Sequence, residues 1–411
     1  MKDTNKLNPE IRFSGFTDDW EQRKLSDIYR DIGNAFVGTA TPYYVEEGHF
    51  YLESNNVKDG QINHNTEVFI NDEFYEKQKD KWLHTGDMVM VQSGHVGHAA
   101  VIPEELDCSA AHALIMFRNP KVKIEPYFLN YQYQTVKAKK KIENITTGNT
   151  IKHILASEMQ KFIVDVASYD EQEKIAGFFS HLDSLITLHQ RKLDKLKTLK
   201  KAMLEKMFPK NGESVPEIRF SGFTDDWELR KVSDLLEERN EQAPETEDYP
   251  LMAFIANEGV APKGERYDRG ALVKDAKNKN YKKTELGDFI YSSNNLETGS
   301  IGLNNYGNAS ISPVYSIFKP TGMADSDFIG RRFVRKDFIN AMVKWRQGVV
   351  YGQWKIHESD FLKIEVAVPS FGEQRKIGSY LNILDNLITL HQRKLDKLKT
   401  LKKAMLEKMF I

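Results

Sequence analysis

Residues 185–208 read LITLHQRKLDKLKTLKKAMLEKMF, and residues 387–410 repeat this stretch without a change. Apolar side chains recur in and just before the first copy at steps built from three and four residues: Leu182, Ile186, Leu193, Leu196, Met203 and Met207. No proline lies between 171 and 208, so the spacing predicts a long amphipathic helix, which His189 and Lys200 interrupt. At about 1.5 Å per residue such a helix is about 55 to 60 Å long.

A second repeated stretch lies at the start of each half of the chain. Residues 9–24 read PEIRFSGFTDDWEQRK and residues 216–231 read PEIRFSGFTDDWELRK, so the copies differ only at Gln22 and Leu229. The period is about half of the chain, which is much longer than the repeat of a solenoid protein. The sequence therefore predicts a duplicated domain, and each copy is followed by its own long helix.

The segments between the repeats, 25–169 and 232–371, share a framework and little else. GDMV at 86–89 corresponds to GDFI at 287–290, and the pair EQ stands before each long helix. One scaffold that carries two sets of loops is a common way for a fold to present two binding specificities.

These repeats predict an α+β protein. We expect two mixed α/β domains at 1–169 and 216–371, separated by two long helices at 170–215, which includes a connector, and at 372–411. Each helix leaves an apolar stripe uncovered, and the nearest matching stripe is the other copy. We therefore expect the helices to pair as an antiparallel coiled coil with pseudo-twofold symmetry, which would hold the two domains at a fixed separation.

Shorter patterns predict the elements inside the domains. Alternating segments predict strands at 87–92, 99–103, 113–118, 289–293, 316–319 and 364–368. Helical patterns occur at 125–140 and 335–343. The acid-rich segment 237–249 predicts a surface loop, and 209–216 predicts a connector.

The charge balance bears on nucleic-acid binding. A formal net charge of −1 over 411 residues argues against a protein that coats nucleic acid by charge alone. Local groups of cations remain available for phosphate contacts, although each is equally typical of a solvated face. These groups are Lys137, Lys139, Lys140 and Lys141; Lys277, Lys279, Lys282 and Lys283; and Arg331, Arg332, Arg335 and Lys336.

The composition also indicates the compartment. The single cysteine, Cys108, provides neither an internal disulfide nor a cysteine-based zinc site, and it fits a reducing cytoplasm. No stretch approaches the ~18 uninterrupted apolar residues that a membrane span needs. We therefore predict a cytoplasmic protein with no membrane partner.

Polar loops that contain glycine occur at matching places in the two halves. Amide, guanidinium and hydroxyl side chains on such loops are typical of contacts with DNA base edges, because glycine lets the backbone approach closely, although similar loops are ordinary turns in most proteins. The candidate DNA-binding residues are Gln92, Ser93, His95, Thr147, Asn149, Thr150 and Lys152 in the first half, and Asn294, Asn295, Ser300, Gln347, Tyr351, Gln353 and Lys355 in the second.

The sequence shows no motif of catalysis. An adenine methyltransferase needs an Asn/Asp-Pro-Pro-aromatic loop, but the Asn-Pro pair at 8–9 continues with Glu and the pair at 119–120 continues with Lys. No phosphate loop of the form GxxxxGK[ST] occurs. His95, His98 and His112 lack the HExxH arrangement, and packing explains them better than metal binding. We therefore expect neither catalytic nor metal-binding residues.

The order of domain, long helix, second domain and identical helix resembles the specificity subunit of type I restriction-modification enzymes. EQEKIAGFFSHLDSLITLHQRKL at 171–193 and EQRKIGSYLNILDNLITLHQRKL at 373–395 are similar to the helical region of that family. GNTIKHI at 148–154 is similar to the end of its target recognition domains. The resemblance covers nearly the whole chain, which departs from the pattern at 348–355, where the second copy is extended.

This resemblance implies a non-catalytic subunit whose two recognition domains each bind one half of a gapped, bipartite site in double-stranded DNA. It implies two modification subunits that methylate adenine with S-adenosylmethionine, and restriction subunits that use ATP and Mg²⁺. It implies no cofactor on this chain. Two other interpretations stay open: a self-contained DNA methyltransferase or nuclease with an unrecognised motif, and a coiled-coil adaptor that binds only proteins.

Overall fold

A computed structural model of the chain describes residues 8–148, 150–210, 213–262, 279–349 and 353–411. It contains two compact units, of which the first comprises Met1–Gln190 with Arg393–Ile411 and the second comprises Arg191–Gln392. Each long helix therefore begins in one unit and ends in the other. This exchange of helix ends decides how each unit is packed.

The first unit combines short strands with short helices before its long helix begins. In chain order its elements are β1 Glu21–Lys24, α1 Leu25–Ile28, β2 Tyr29–Asn34, β3 Tyr44–Val45, β4 His49–Leu52, β5 Val57–Lys58, β6 Gln61–Ile62, β7 Phe69–Ile70, α2 Asp72–Glu76, β8 Met88–Val91, β9 Ala99–Val101, β10 Ala110–Ala111, β11 Leu114–Pro120, α3 Pro126–Gln132, α4 Val136–Asn144, α5 Ala156–Lys161, β12 Ile163–Val166 and α6 Tyr169–Lys206.

The second unit repeats this plan with different loops. Its elements are β13 Glu228–Lys231, α7 Val232–Leu235, β14 Leu236–Glu238, β15 Gln242–Ala243, β16 Ala253–Ile255, β17 Gly259–Ala261, β18 Tyr281–Thr284, β19 Phe289–Tyr291, β20 Ile301–Leu303, β21 Ala309–Ile311, β22 Ser316–Pro320, α8 Ser326–Phe333, α9 Lys336–Val343, β23 Gln347–Val349, β24 Gln353–Lys355, α10 Glu358–Phe361, β25 Glu365–Val368 and α11 Phe371–Met409.

The same antiparallel sheet forms the centre of each unit. Its strand order is β2-β11-β8-β9 in the first unit and β14-β22-β19-β20 in the second. Strand β8 is buried at every position, and so is its counterpart β19, because both of their faces are covered. A smaller sheet accompanies the central one, in the order β10-β4-β7-β3 in the first unit and β15-β18-β21 in the second. The predicted α+β class with two long helices is confirmed.

The repeated sequence EIRFSGFTDDW builds the same ion pair in both units. Arg12 donates to the Glu171 carboxylate through Nε and Nη2, at 2.7 and 2.8 Å. Arg219 donates to Glu373 in the same two-point manner, at 2.8 and 2.7 Å. Both glutamates are 0% exposed, so each buried charge has its partner in the repeated segment. The pair ties the segment to the first turn of the long helix in its unit.

The glutamine that follows each of these glutamates caps the neighbouring backbone. Gln172 donates to the carbonyl oxygen of Ala167 at 2.8 Å and accepts from the Glu125 amide at 3.0 Å. Gln374 donates to Pro369 at 3.0 Å and accepts from the Asp325 amide at 3.0 Å. The Glu-Gln pair before each helix therefore fixes where the helix meets its domain.

The end of each long helix lies in the core of the unit that it enters. Phe410 packs against Phe128 and Trp20 in the first unit, with ring centroids 5.2 and 6.0 Å apart. Phe208 packs against Phe328 and Trp227 in the second, at 5.6 and 6.1 Å. Burying a phenylalanine contributes about 1.5 to 3 kcal/mol, so these ends are structural parts of the domains that they contact.

Within each unit the two helices run antiparallel, and a lysine crosses from one to the other. Lys402 lies 2.6 Å from the Asp183 carboxylate in the first unit. In the second unit Lys200 pairs with Asp385. The interruption that Lys200 makes in the apolar stripe is thus explained by an ion pair that specifies the register of the helices.

Two predicted elements differ in detail. The helix predicted at 125–140 is divided into α3 and α4, because the Thr135 side chain accepts from the Ala138 amide at 3.1 Å and begins a new helix. The segment predicted as a surface loop at 237–249 contributes short strands to both sheets of its unit: Glu237 pairs with Lys319, and Gln242 pairs with Lys282. In the described ranges no helix is long and apolar enough to cross a membrane.

Candidate nucleic-acid interface

The structure brings together the two polar loops that the sequence singles out in the first half. The loop after β8 and the loop at 146–153 are joined by backbone hydrogen bonds: Gly94 donates to Lys152 at 3.0 Å, and Ile154 donates to Gln92 at 2.9 Å. Ser93 forms an isolated bridge with His153. Two segments about 55 residues apart in sequence thus form one surface, which we call the first loop pair.

The second loop of this pair is a closed turn. The Thr147 amide donates to the carbonyl oxygen of His153 at 2.9 Å, and the His153 amide donates back to Thr147 at 2.8 Å. Gly148 has a φ of 95°, and a side chain there would lie 2.1 Å from the Ile151 carbonyl oxygen. Glycine is therefore required for the turn to close, which explains the GNT sequence.

A groove of about 320 Å³ lies between the first loop pair and helix α4. Lys139 and Lys152 are both exposed at the groove, and Glu143 pairs with Lys152 at 3.3 Å. Burial lowers the pKa of His98, so its imidazole is neutral at pH 7. The positive charge of the groove at neutral pH therefore comes from its lysines, which suits contact with a phosphate backbone.

The predicted residues of the first half differ in their exposure. His95, Thr147, Thr150 and Lys152 are exposed, whereas Gln92 and Ser93 are half-buried and support the loop. The His95 ring nitrogen Nε2 lies 2.9 Å from the carbonyl oxygen of Ser54, which fixes the orientation of the ring. Asn149 lies outside the described residues.

The second unit also joins its two predicted loops, but with side chains in place of backbone pairs. The amide of Ile356 donates to Ser293 Oγ at 3.0 Å, and the amide of Trp354 donates to Asn294 Oδ1 at 2.6 Å. Arg346 donates to the Ser293 carbonyl oxygen at 3.0 Å and to both oxygens of Glu297 at 2.8 and 2.6 Å. The loop 292–300 and the hairpin of β23 and β24 form what we call the second loop pair.

Most of the predicted residues of the second half are accessible. Asn294, Asn295, Gln347 and Lys355 are exposed. Ser300 is only 8% exposed, and its amide donates to the Asn295 carbonyl oxygen at 2.9 Å. Ser300 therefore lies largely inside the turn, and its contact with DNA stays a prediction.

Two further residues of the second half have limited descriptions. Tyr351 lies outside the described residues. The backbone of Gln353 belongs to strand β24, opposite Val349, and its side chain lies outside the described part of the chain.

Three further residues lie at these surfaces: Lys139 was predicted only as one of a group of cations available for phosphate contacts, and Arg346 and Trp354 were not predicted. Lys139 lies on the face of α4 that carries Glu143, at a spacing of one helical turn, so helical periodicity alone could have placed it beside the groove. Arg346 precedes Gln347 directly and anchors the hairpin. Trp354 is 50% exposed on β24, and only the fold shows that its ring is accessible.

The cation groups separate into two kinds. Lys137, Lys139 and Lys140 are exposed on α4. In the second unit the arginines of the predicted group are engaged internally, whereas Lys336 is exposed: Arg331 pairs with Asp385, Arg332 with Asp337 at 2.8 Å, and Arg335 donates to the carbonyl oxygen of Leu204.

The remaining lysine group of the second unit is also largely engaged. Lys282 is 6% exposed, and Lys283 pairs with Glu241 at 2.5 Å. Lys277 lies outside the described residues. The exposed helix α4 is thus the strongest phosphate candidate among these groups.

Comparison with known proteins identifies a family whose domain is repeated in this chain. A family model for the type I restriction modification DNA specificity domain matches residues 17–198 and again residues 224–400. The two matches together cover most of the chain and follow its internal duplication.

Two curated relatives come from Methanocaldococcus jannaschii. A putative type I restriction enzyme MjaX specificity subunit is 23% identical over 413 residues, which covers 95% of this chain and 92% of the relative. The type I restriction enzyme MjaIX specificity subunit is 21% identical over 248 residues, covering 56% and 55% of the two chains.

A solved structure shares the fold over the whole length. The crystal structure of the type I restriction-modification system S subunit from M. genitalium superposes with a TM-score of 0.61 at 15% identity, and covers 98% of this chain and 99% of that one. At this identity the likeness concerns the fold alone.

Proposed function

The chain belongs to the type I restriction-modification DNA specificity family, and from this premise we propose that each of its units recognises one half of a bipartite DNA site. Its role is DNA sequence specificity within a restriction-modification system, and it is a non-catalytic subunit. The recognition domains of this proposal are 1–169 and 216–371, and the helices after each of them connect the two.

One observation carries the proposal: the two units place a loop pair at equivalent positions after the same central strand. The first pair follows β8 and the second follows β19. In each, an isoleucine that is 0% exposed, Ile154 or Ile356, anchors the later loop to the earlier one. The anchors are equivalent, whereas the exposed side chains around them differ. Equivalent placement with different chemistry is what two unlike half-sites require.

The side chains of the second loop pair suit base recognition in the major groove. Asn295 and Gln347 carry exposed amides, which pair with adenine through its N6 and N7 atoms. Lys355 is exposed beside them and suits either guanine or a phosphate. Asn294 already accepts a hydrogen bond from the backbone amide of Trp354. We therefore propose that Asn294 both holds the hairpin and contacts DNA. We include Tyr351 and Gln353 because they continue this hairpin in sequence.

The first loop pair is more cationic. Lys152 and Lys139 would neutralise phosphates, while His95, which also lines the groove, and the exposed Thr147 and Thr150 would contact base edges. Asn149 stays in the proposal because it directly follows Gly148 in the sequence. Gln92 and Ser93 act by shaping this surface.

The partners follow from the duplicated framework. We propose that the two Arg-Glu-anchored segments, centred on Arg12 and Arg219, present equivalent surfaces to two copies of a modification subunit, which would supply S-adenosylmethionine chemistry. Restriction subunits with ATP and Mg²⁺ would complete the complex. We place this assembly in the cytoplasm, where a protein with one cysteine and DNA as its ligand is expected.

A charge-matched pair of variants tests the DNA interface. Lys152→Ala removes a groove cation, whereas Lys161→Ala removes an exposed lysine of the same unit, outside the groove, that pairs with Glu158 at 3.0 Å. In the complex reconstituted with its modification subunit, we expect Lys152→Ala to weaken DNA binding by about 5- to 10-fold and to reduce the salt dependence by about one released counterion. Lys161→Ala should match the wild type. If the two variants bind DNA with equal affinity, Lys152 does not contact the DNA.

A further inference from the structure

Three different metal-ligating side chains meet in the first unit, and none of them belongs to either loop pair. His84 lies just before strand β8, and Asp107 and Cys108 lie between β9 and β10. We propose that these three residues bind one transition-metal ion of the zinc class. The proposal stands on the geometry of this cluster and does not depend on the proposed DNA-binding function.

The three residues offer one donor atom each, and these atoms all lie within 4.8 Å of one another. His84 Nδ1 lies 3.4 Å from Asp107 Oδ1 and 3.8 Å from Cys108 Sγ, and Cys108 Sγ lies 3.2 Å from the other carboxylate oxygen, Asp107 Oδ2. A tetrahedral zinc ion with bonds of about 2.0 to 2.3 Å to nitrogen, oxygen and sulfur sets its ligand atoms about 3.3 to 3.8 Å apart. A rotation of the Asp107 side chain that turns one oxygen toward both His84 and Cys108 would bring the three donors to these separations.

The backbone holds the two contributing segments against each other. Leu83 and Ser109 exchange amide-to-carbonyl hydrogen bonds of 2.8 and 3.2 Å. The hydroxyl of Tyr75 donates to the carbonyl oxygen of Cys108 at 2.7 Å. These bonds leave His84 and Cys108 adjacent whether or not an ion is bound, so the site would be preorganised.

The carboxylate of the cluster is oriented by groups outside the proposed ligand set. Asp107 Oδ1 accepts from the Thr85 amide at 2.8 Å and from Thr85 Oγ1 at 3.2 Å. Such outer hydrogen bonds are a regular feature of metal sites, because they orient the ligand.

The donor set selects the kind of ion. A thiolate is a soft ligand that favours zinc or cobalt over magnesium or calcium, while imidazole and carboxylate are also common zinc ligands. His84 and Asp107 are exposed and Cys108 is half-buried, so a fourth position would face water. We therefore infer an exchangeable site with three protein ligands and one solvent ligand.

The second unit offers an internal contrast. Alignment on Gly86-Asp87 and Gly287-Asp288 places Glu285 where the first unit has His84. Glu285 accepts from Arg239 at 2.7 Å and from Tyr249 at 2.9 Å, so it serves an ion pair instead. The proposed site thus belongs to one unit, and the ion would stabilise that unit alone. Sequence analysis predicted no metal-binding residues, since Asp107 and Cys108 lie more than 20 residues from His84 and only the fold joins them.

Cobalt spectroscopy on the full chain, prepared without an affinity tag and stripped with a chelator, tests the proposal. Cys108 is the only cysteine, so a thiolate-to-cobalt charge-transfer band can come from no other residue. We expect one equivalent of Co²⁺ to produce this band with tetrahedral visible absorption, and one equivalent of Zn²⁺ to abolish it. Cys108→Ser should lose the band, and His84→Ala should bind at least about 10- to 100-fold more weakly.

His64→Ala is the matched control, because His64 is an exposed histidine of the same unit that pairs with Glu67 at 2.9 Å. It should bind cobalt as the wild type does. Urea unfolding of each stripped variant verifies that all of them fold, and Asp107→Asn provides a third ligand change. A missing band in the wild type, or a band of equal strength and affinity in His84→Ala, would show an adventitious ion only and would overturn the site.

Discussion

The two copies of the EIRFSGFTDDW segment make the same contacts, whereas the two loop pairs are assembled by different means. Arg12 and Arg219 reach their glutamates with nearly identical distances, 2.7 and 2.8 Å through Nε. The first loop pair, in contrast, is held by backbone bonds such as Gly94 to Lys152, while the second is held by side chains such as Asn294 and Arg346.

Because the loop pairs are held by different contacts in the two units, the DNA specificity can change at the loop pairs without loss of the fold. Contacts that repeat are buried and charge-paired, so a substitution there would cost stability in either unit. The exposed side chains that differ need only leave the later loop anchored at Ile154 or Ile356, which are buried. Substitutions at the two kinds of position should therefore have separate consequences.

The largest expected effect comes from lengthening the helices between the units. The division of the chain places the junctions after Gln190 and Gln392. Inserting four helix-forming residues at both junctions leaves the contacts inside each unit intact and adds about 6 Å to each helix, which is close to the rise of two base pairs. We expect methylation mapping to show both half-sites retained and the gap between them altered. An unchanged gap would contradict a spacer role for the helices.

The next effect concerns the buried ion pairs. Arg219→Ala leaves Glu373 buried without its cation, and we expect it to lower the free energy of unfolding by about 4 kcal/mol in urea titrations. Arg12→Ala should cost about 3 kcal/mol, because Trp20 still donates to Glu171 at 3.2 Å. The corresponding Trp227 nitrogen has no hydrogen-bond partner in the described chain.

Exposed pairs control for the loss of charge. Arg23→Ala and Arg230→Ala remove arginines whose glutamate partners, Glu21 and Glu228, are largely exposed, so neither should change the unfolding midpoint measurably. If Arg12→Ala and Arg219→Ala lower the free energy of unfolding equally, the hydrogen bond from Trp20 to Glu171 contributes nothing measurable to stability.

A smaller effect distinguishes the two lysines that cross between helices. Lys402→Met leaves Asp183 with only the hydroxyl of Tyr131, at 2.9 Å, and we expect a loss of about 2 kcal/mol. Lys200→Met leaves Asp385 paired with Arg331, so we expect about 1 kcal/mol. Chemical denaturation of the two variants measures both values. If Lys200→Met lowers the free energy of unfolding more than Lys402→Met does, then Asp385 depends on its lysine more than Asp183 does, contrary to this prediction.

The repeated parts of the molecule were predictable because they follow periodic rules. The heptad-like spacing from Leu182 to Met207 predicted the long helices to within two residues, and none of the six stripe residues is exposed. The central strands β8, β11, β19 and β22 were predicted from alternating patterns. Exchange of the helix ends, with Phe410 and Phe208 in the cores, needed coordinates because Phe410 contacts Phe128, nearly 300 residues away, and Phe208 contacts Phe328, more than 100 residues away.

The candidate interface was predictable in position but not in detail. Glycines at 94 and 148 marked loops that do meet. Ser300 shows the limit, since a turn-closing serine and a DNA-contacting serine have the same local sequence signal and only burial distinguishes them. The arginines of the second unit were likewise ambiguous until Arg331 and Arg335 were found against the long helices.

The most direct test of the account is the exchange of one variable segment. Residues 25–169 are replaced by the corresponding segment of another member of the family, while both repeats and residues 232–371 stay unchanged. Methylated sites are then sequenced in cells that carry the modification subunit. The account predicts that one half-site changes completely and that the other half-site and the gap persist. A change in both half-sites would contradict two independent recognition units on one repeated framework.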